Sequence, residues 1–226
     1  MSGAADSAGL VDACARACVC VLDDDAEVRS AIGSLLRASG HDVALFGSTA
    51  EFLAAGLPEV PACLVLDIRL PGESGLDFQE RLAAEGLEIP VILITGHGDI
   101  PMTVRAMRAG AVDFLPKPFD EGQLLAAIDT ALATDRARRA AQDGDATLQA
   151  AHASLTPREA EVMALVVTGL MNKQVAARLA LSEITVKIHR GNVMRKMQAQ
   201  SLADLVRMAE RLGVRDATIH RYNTSV

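Results

Sequence analysis

The chain has 226 residues, more than one compact domain usually needs, and half of them are hydrophobic, enough to fill two small cores. Aromatic residues make up only 3 %, so those cores are aliphatic, and no apolar run approaches the roughly 20 residues of a bilayer span. The formal net charge of −7 hides a division: from His152 onward there are 11 Lys and Arg against 6 Asp and Glu, and before it 11 against 23. An acidic half joined to a basic half points to a polyanionic partner for the second half alone.

Residues 1–16 form an N-terminal extension. It lacks a basic start followed by a clean apolar stretch, so no secretory signal is read, and the cytoplasm is the expected compartment. Cysteines stand at Cys14, Cys18, Cys20 and Cys63. The C-x3-C-x-C spacing is not the paired C-x2-C of zinc sites. Cys20 and Cys63 lie inside apolar runs and read as small buried hydrophobes.

Residues 17–134 alternate short apolar runs with amphipathic stretches. The runs are Cys18–Leu22, Val43–Phe46, Cys63–Ile68, Val91–Ile94 and Val112–Leu115. Between them, Val28, Ile32, Leu35 and Leu36, then Phe78, Leu82 and Ala83, then Val104, Met107 and Arg108 recur at helical spacing. Strand and helix alternating at this length predict a doubly wound, five-stranded parallel sheet, closed by a helix near Glu121–Thr134. Residues 135–153 are charged, Ala-rich and interrupted by Asp143-Gly144-Asp145. They are expected to form a linker that extends the preceding helix and breaks at Gly144.

Residues 154–213 predict a separate all-α domain of four helices. Thr156, Pro157 and Glu159 write a capping box with proline at the first helical position. Asn172, Ser182 and Ser201 are expected to cap the next three helices. Asn172–Leu179, then Ala180-Leu181, then Ser182–Met197 read as helix, tight turn, helix. Lys187, Arg190, Arg195 and Lys196 project outward from the second helix, which at about 16 residues spans roughly 24 Å, enough to cross a major groove. Residues 214–226 are a C-terminal tail.

In a doubly wound sheet, ligands gather at the carboxyl ends of the strands. Here the first strand runs into Asp23 and Asp24, the third into Asp67, the fourth into Thr95 and the fifth into Lys117. Carboxylates cannot crowd there ionised without a cation, and all-oxygen ligation favours Mg2+. A carboxylate held by Mg2+ and lysine can take a phosphoryl group, with Thr95 and Lys117 meeting its oxygens. No G-x4-G-K-[ST] loop or complete dinucleotide fingerprint supplies an ATP site, so the phosphoryl group must come from a partner.

VLDDDAEVR, LVLDIRLPGESG, ITGHGD and AGAVDFLPKPF resemble the receiver domain of two-component response regulators. With LTPREAEV and TVKIHRGNVMRKM, the chain from about residue 17 to 213 resembles FixJ-type members of the FixJ/NarL/LuxR class. The resemblance implies strand order 2-1-3-4-5 and Asp67 as phosphoacceptor. It implies Asp24 and Asp67 as Mg2+ ligands, Asp23 acting largely through water, and the Arg69 carbonyl as a further ligand. It also implies Thr95 and Phe114 as a switch pair, Lys117 as phosphate partner, a Lys117–Pro118 bond often cis, and a histidine kinase as donor. Arg69 and His97 stand where side chains influence phosphoryl lifetime.

For the helical domain the resemblance puts Lys187, Ile188 and Gly191 at base-facing positions on double-stranded DNA. Lys173, Ser182, Thr185, Arg190 and Lys196 complete the expected DNA-binding set. The face carrying Met102, Val104, Arg105, Arg108, Asp113 and Lys117–Phe119 is expected to become a homodimer surface on phosphorylation. RNA polymerase is a further expected partner, and neither a membrane nor a turnover enzyme is expected. Two other readings stand beside this one: a Mg2+-dependent phosphohydrolase using Asp67, and a phosphorylation-independent DNA-binding regulator whose receiver is a dimerisation scaffold.

Overall fold

The computed structural model describes residues 17–96 and 100–214. The N-terminal extension with Cys14, His97, and the tail beyond Val214 lie outside the described residues. The chain divides into two compact units between Arg139 and Ala140.

The first unit is built on β1 (Cys18–Leu22), β2 (Asp42–Phe46), β3 (Ala62–Asp67), β4 (Val91–Thr95) and β5 (Asp113–Pro116). All pairings are parallel and the order is β2-β1-β3-β4-β5. The central strands β3 and β4 are buried at every residue, as expected of a sheet covered on both faces. Alternation along the strands separates two cores. Val19, Val21, Cys63, Val65, Ile92 and Ile94 pack with Ile32 and Leu36 of α1 (Ala26–Ala38) and Leu124 and Ile128 of α5 (Glu121–Ala153). Cys20, Leu22, Leu64, Leu66 and Leu93 pack on the other face. They meet Phe52 of α2 (Thr49–Ala55), Phe78 and Leu82 of α3 (Gly75–Ala84) and Ala106 of α4 (Ile100–Arg108).

Three of the few aromatic rings, Phe46, Phe52 and Phe78, meet edge to face at 5.3 and 5.9 Å and tie β2, α2 and α3 together. Cys18, Cys20 and Cys63 are free thiols, and Cys20 and Cys63 have no exposed surface.

The helices start where a polar side chain accepts the first free N–H groups. Asp25 accepts from Glu27 and Val28 for α1, Ser48 from Glu51 for α2, and Ser74 from Leu76 for α3. The linker extends the preceding helix beyond Thr134, but the expected break at Gly144 does not occur. α5 continues through Asp135 and Gly144 to Ala153, so the expected linker is helical. One glycine costs a helix only about 1 kcal/mol against alanine, too little to break an Ala-rich run. Asp135 is also held: it accepts the Ala62 N–H at 2.9 Å and pairs with Arg138 and Arg139.

The second unit holds α6 (Pro157–Val166), α7 (Asn172–Leu179), α8 (Glu183–Lys196) and α9 (Leu202–Leu212). Its cores join Val162, Val166, Val175, Ala176 and Val186 on one side, and Leu148, Met163, Val167, Val193, Met197, Leu205 and Ala209 on the other. The capping box forms as expected. Thr156 Oγ1 accepts the Glu159 N–H, and Glu159 Oε2 accepts the Thr156 N–H at 2.9 Å. Ser182 and Ser201 cap α8 and α9. Asn172 does not cap α7, because Met171 holds that position and its N–H is accepted by Gln174 instead. Among the described residues, no helix is long and apolar enough to cross a membrane.

Candidate functional site

The register brings the carboxyl ends of β1, β3, β4 and β5 to one edge: Leu22 lies opposite Leu66, Asp67 opposite Ile94, and Thr95 opposite Pro116. The alternation that places Val21 and Val65 on the α1/α5 face carries on to Asp23 and Asp67. Both are buried, at 1 % and 5 % exposure. Lys117, just past β5, donates from Nζ to Asp67 Oδ1 at 2.7 Å and to Asp23 Oδ2 at 2.9 Å. The remaining oxygens accept main-chain donors: Asp67 Oδ2 from Arg69 at 2.7 Å, and Asp23 Oδ1 from Asp25 at 2.9 Å. The Lys117–Pro118 bond is cis.

Two buried carboxylates against one ammonium leave an uncompensated negative charge. Burial pushes the Asp67 carboxyl above its ordinary value, against the lowering effect of Lys117 and the Arg69 N–H. Burial also works to lower the Lys117 ammonium, but its hydrogen bonds to Asp67 and Asp23 override it and the pKa rises.

The donors fit a hard cation in kind: Asp23, Asp67 and the Arg69 carbonyl offer only oxygen. Asp24 is exposed, and among the described residues no three acidic side chains are gathered as a ready-made metal cluster. The lysine ammonium holds the space between the two carboxylates. The acidic triplet therefore splits into three roles: Asp23 is buried and paired, Asp24 faces solvent, and Asp25 caps α1.

Thr95 is fully buried, and its carbonyl accepts the Lys117 N–H at 2.6 Å. Phe114 stands opposite Leu93, so it shares a sheet face with Thr95, two residues on. Gly75 is a positioning residue that spacing alone did not single out. A Cβ there would run into the Asp67 carbonyl oxygen, and the Gly75 N–H donates to Ile68 at 2.9 Å. Only glycine lets α3 begin this close to the end of β3. Its mark in the sequence is the Ser-Gly pair that follows Pro71-Gly72.

In the second unit, α7 ends at Ala180 in the left-handed conformation and α8 starts after Ser182, which makes the tight turn. Ile184, Lys187, Ile188, Gly191 and Arg195 are exposed and fall on one stripe of α8. Lys173 is exposed on α7. Ser182 and Thr185 bond each other through their hydroxyls at 2.8 Å. Two residues of the expected DNA-binding set are otherwise engaged. Arg190 donates to Asn172 Oδ1 at 3.2 Å, and Lys196 donates to Glu159 at 2.6 Å and to the Ser154 carbonyl at 2.9 Å.

A 2-1-3-4-5 parallel sheet with an Asp–Lys–Asp edge, followed by a helix-turn-helix unit, defines a receiver-type signalling protein with a DNA-binding module. Residues 19–129 match the response regulator receiver domain, and residues 153–209 match the bacterial regulatory proteins of the luxR family. Nodulation protein W of Bradyrhizobium diazoefficiens is 56 % identical over 91 % of this chain and 91 % of its own. The transcriptional regulatory protein FixJ of Azorhizobium caulinodans is 44 % identical over 87 % of this chain and 93 % of its own. The solved structure of the response regulator StyR superposes with a TM-score of 0.80 at 49 % identity, covering 87 % of this chain and all of that one. The chain belongs to the two-component response regulators, as a FixJ-type member. Its two domains imply transcription regulation, with a histidine kinase and DNA as the partner classes.

Proposed function

We propose that Asp67 accepts a phosphoryl group from a histidine kinase and that this modification controls DNA binding by the second domain. The observation that carries the reading is Asp67 itself: buried at the end of β3, with Lys117 Nζ 2.7 Å from one carboxylate oxygen. An Asp67 oxygen attacks phosphorus, the P–N bond of the kinase phosphohistidine breaks, and the imidazole leaves with the bonding electrons. Lys117 pairs with one phosphoryl oxygen, and the Thr95 hydroxyl donates to another. Asp24, Asp67 and the Arg69 carbonyl would hold Mg2+, with Asp23 acting largely through water. When bound, the ion offsets the charge that builds between carboxylate and phosphoryl oxygens.

Beside Lys117 an open groove of about 360 Å3 is lined by Val28, Ile32, Leu35, Pro118 and Phe119. Movement of Thr95 and Phe114 then reshapes the face formed by α4, β5 and α5. Val104 and Met107 are exposed on it, and it becomes the homodimer surface. RNA polymerase contact and a cytoplasmic location belong to the same reading. The domain limits we assign are residues 17–134 for the receiver and 154–213 for the DNA-binding module.

Acetyl phosphate with Mg2+ should add one phosphoryl group to the wild type and none to Asp67→Asn, as read by intact mass. It should also shift the wild type alone toward dimer and tighter DNA binding. If Asp67→Asn and the treated wild type bind DNA alike, the receiver is a scaffold and the phosphorylation control is wrong.

A further inference from the structure

Ile184 and Ile188 lie one turn apart on the outer stripe of α8, 74 % and 59 % exposed. Neither contributes to a core, and a β-branched residue is a weaker helix former than Lys, Glu or Ala. Packing and helix formation therefore do not account for them. Between them stands exposed Lys187, and one turn on stands Gly191. A Cβ at Gly191 would meet nothing, so packing does not require this glycine either. The stripe is thus apolar and charged on its first two turns and bare on the third. The Lys187 charge, with exposed Lys173 on α7, gives this surface the sign that suits a polyanion.

The first turns of a recognition helix lie against base edges. In the major groove the apolar feature a side chain can meet is the thymine C5-methyl group. Side chains at i and i+4 have Cβ atoms roughly 6 Å apart, and successive base pairs rise by roughly 3.4 Å. The isoleucine pair therefore spans about two base-pair steps.

We propose that Ile184, together with Ile188, is a specificity-determining contact that reads thymine C5-methyl groups, and that Gly191 lets the duplex come close enough for the pair to reach them. The assignment rests on DNA binding through α8.

The full-length protein is used to select duplexes from a random-core pool, and the selected duplex is remade with deoxyuridine at each thymine in turn. Deoxyuridine removes only the methyl group. The expected result is about a four-fold loss of affinity for each methyl the isoleucines contact. Ile184→Ala and Ile188→Ala should each become indifferent to deoxyuridine at their own position, and Ile184→Val should keep part of the response. Lys187→Ala should weaken the thymine and deoxyuridine duplexes alike. A selected duplex that binds the wild type equally with and without every methyl overturns the proposal and leaves DNA binding standing. Failure to enrich any duplex overturns both and makes the isoleucines a protein-docking patch.

Discussion

The Asp135 carboxylate on α5 accepts the backbone N–H of Ala62, the first residue of β3, at 2.9 Å. The same carboxylate is clamped by Arg138 at 2.6 Å and Arg139 at 2.7 Å, and it is buried. Burial would raise its pKa, but the Ala62 N–H and the two arginines outweigh that and lower it. Asp135→Ala orphans a buried N–H and leaves two guanidinium groups facing one another. The expected loss is about 2–4 kcal/mol of receiver stability. Asp135→Asn keeps an acceptor for Ala62 and should cost less. Urea unfolding of both variants checks the order.

Gly75→Ala places a methyl group against the Asp67 carbonyl oxygen. Backbone cannot yield as a flexible side chain does, so about 1–3 kcal/mol of destabilisation is expected. The end of β3 should shift with it, so acetyl phosphate should label Asp67 more slowly at a temperature where the variant is still folded. Unchanged stability and labelling together would show that α3 can start elsewhere.

The Glu159–Lys196 pair sets an acid limit on the second unit. The Lys196 hydrogen bond first, and then the Thr156 N–H, holds the Glu159 carboxyl down to about 2 from an ordinary 4.5. The unfolded chain takes up this proton near the ordinary value and the folded chain only near 2. The stabilisation is therefore complete above about 4.5 and is lost as pH falls toward 2. Glu159→Gln keeps the capping geometry without the titration. It should be less stable than wild type at neutral pH and should converge on it at low pH. Methyl resonances of Met163 and Met197 through a urea series at several pH values read this directly.

Gly191→Ala should stabilise the second unit by about 1 kcal/mol, because the new Cβ meets nothing and alanine is the better helix former. Thermal unfolding checks it. A variant that is more stable yet binds selected DNA more weakly would mean the glycine is kept for the duplex and not for the fold.

The strands were legible because each is a short apolar run ending on a charge or a turn, and their observed limits differ from the expected ones by at most one residue. Asp23, Asp67 and Lys117 were legible because parallel strands in register must end on one edge. The division of labour within the Asp23-Asp24-Asp25 triplet was not, since three identical side chains differ only in which way the backbone turns them. The extension of α5 past Thr134 was legible, but its course through Gly144 was not, because propensity sees the glycine and its flanking aspartates and not the burial of Leu148 beyond them. Lys196 reads as an outward-pointing base in the sequence, and only folding brings it against Glu159, 37 positions earlier.

Cys20 on β1 and Cys63 on β3 have no surface a reagent can touch, and burial together with neighbouring thiols raises both of their pKa values. They form a tamper seal within the receiver sheet. Alkylation of either one records that neighbouring strands have parted, and site-resolved mass spectrometry would turn its rate into an opening frequency for that layer. Comparing that frequency before and after phosphoryl loading would tell whether signalling loosens the sheet or only its outer edge.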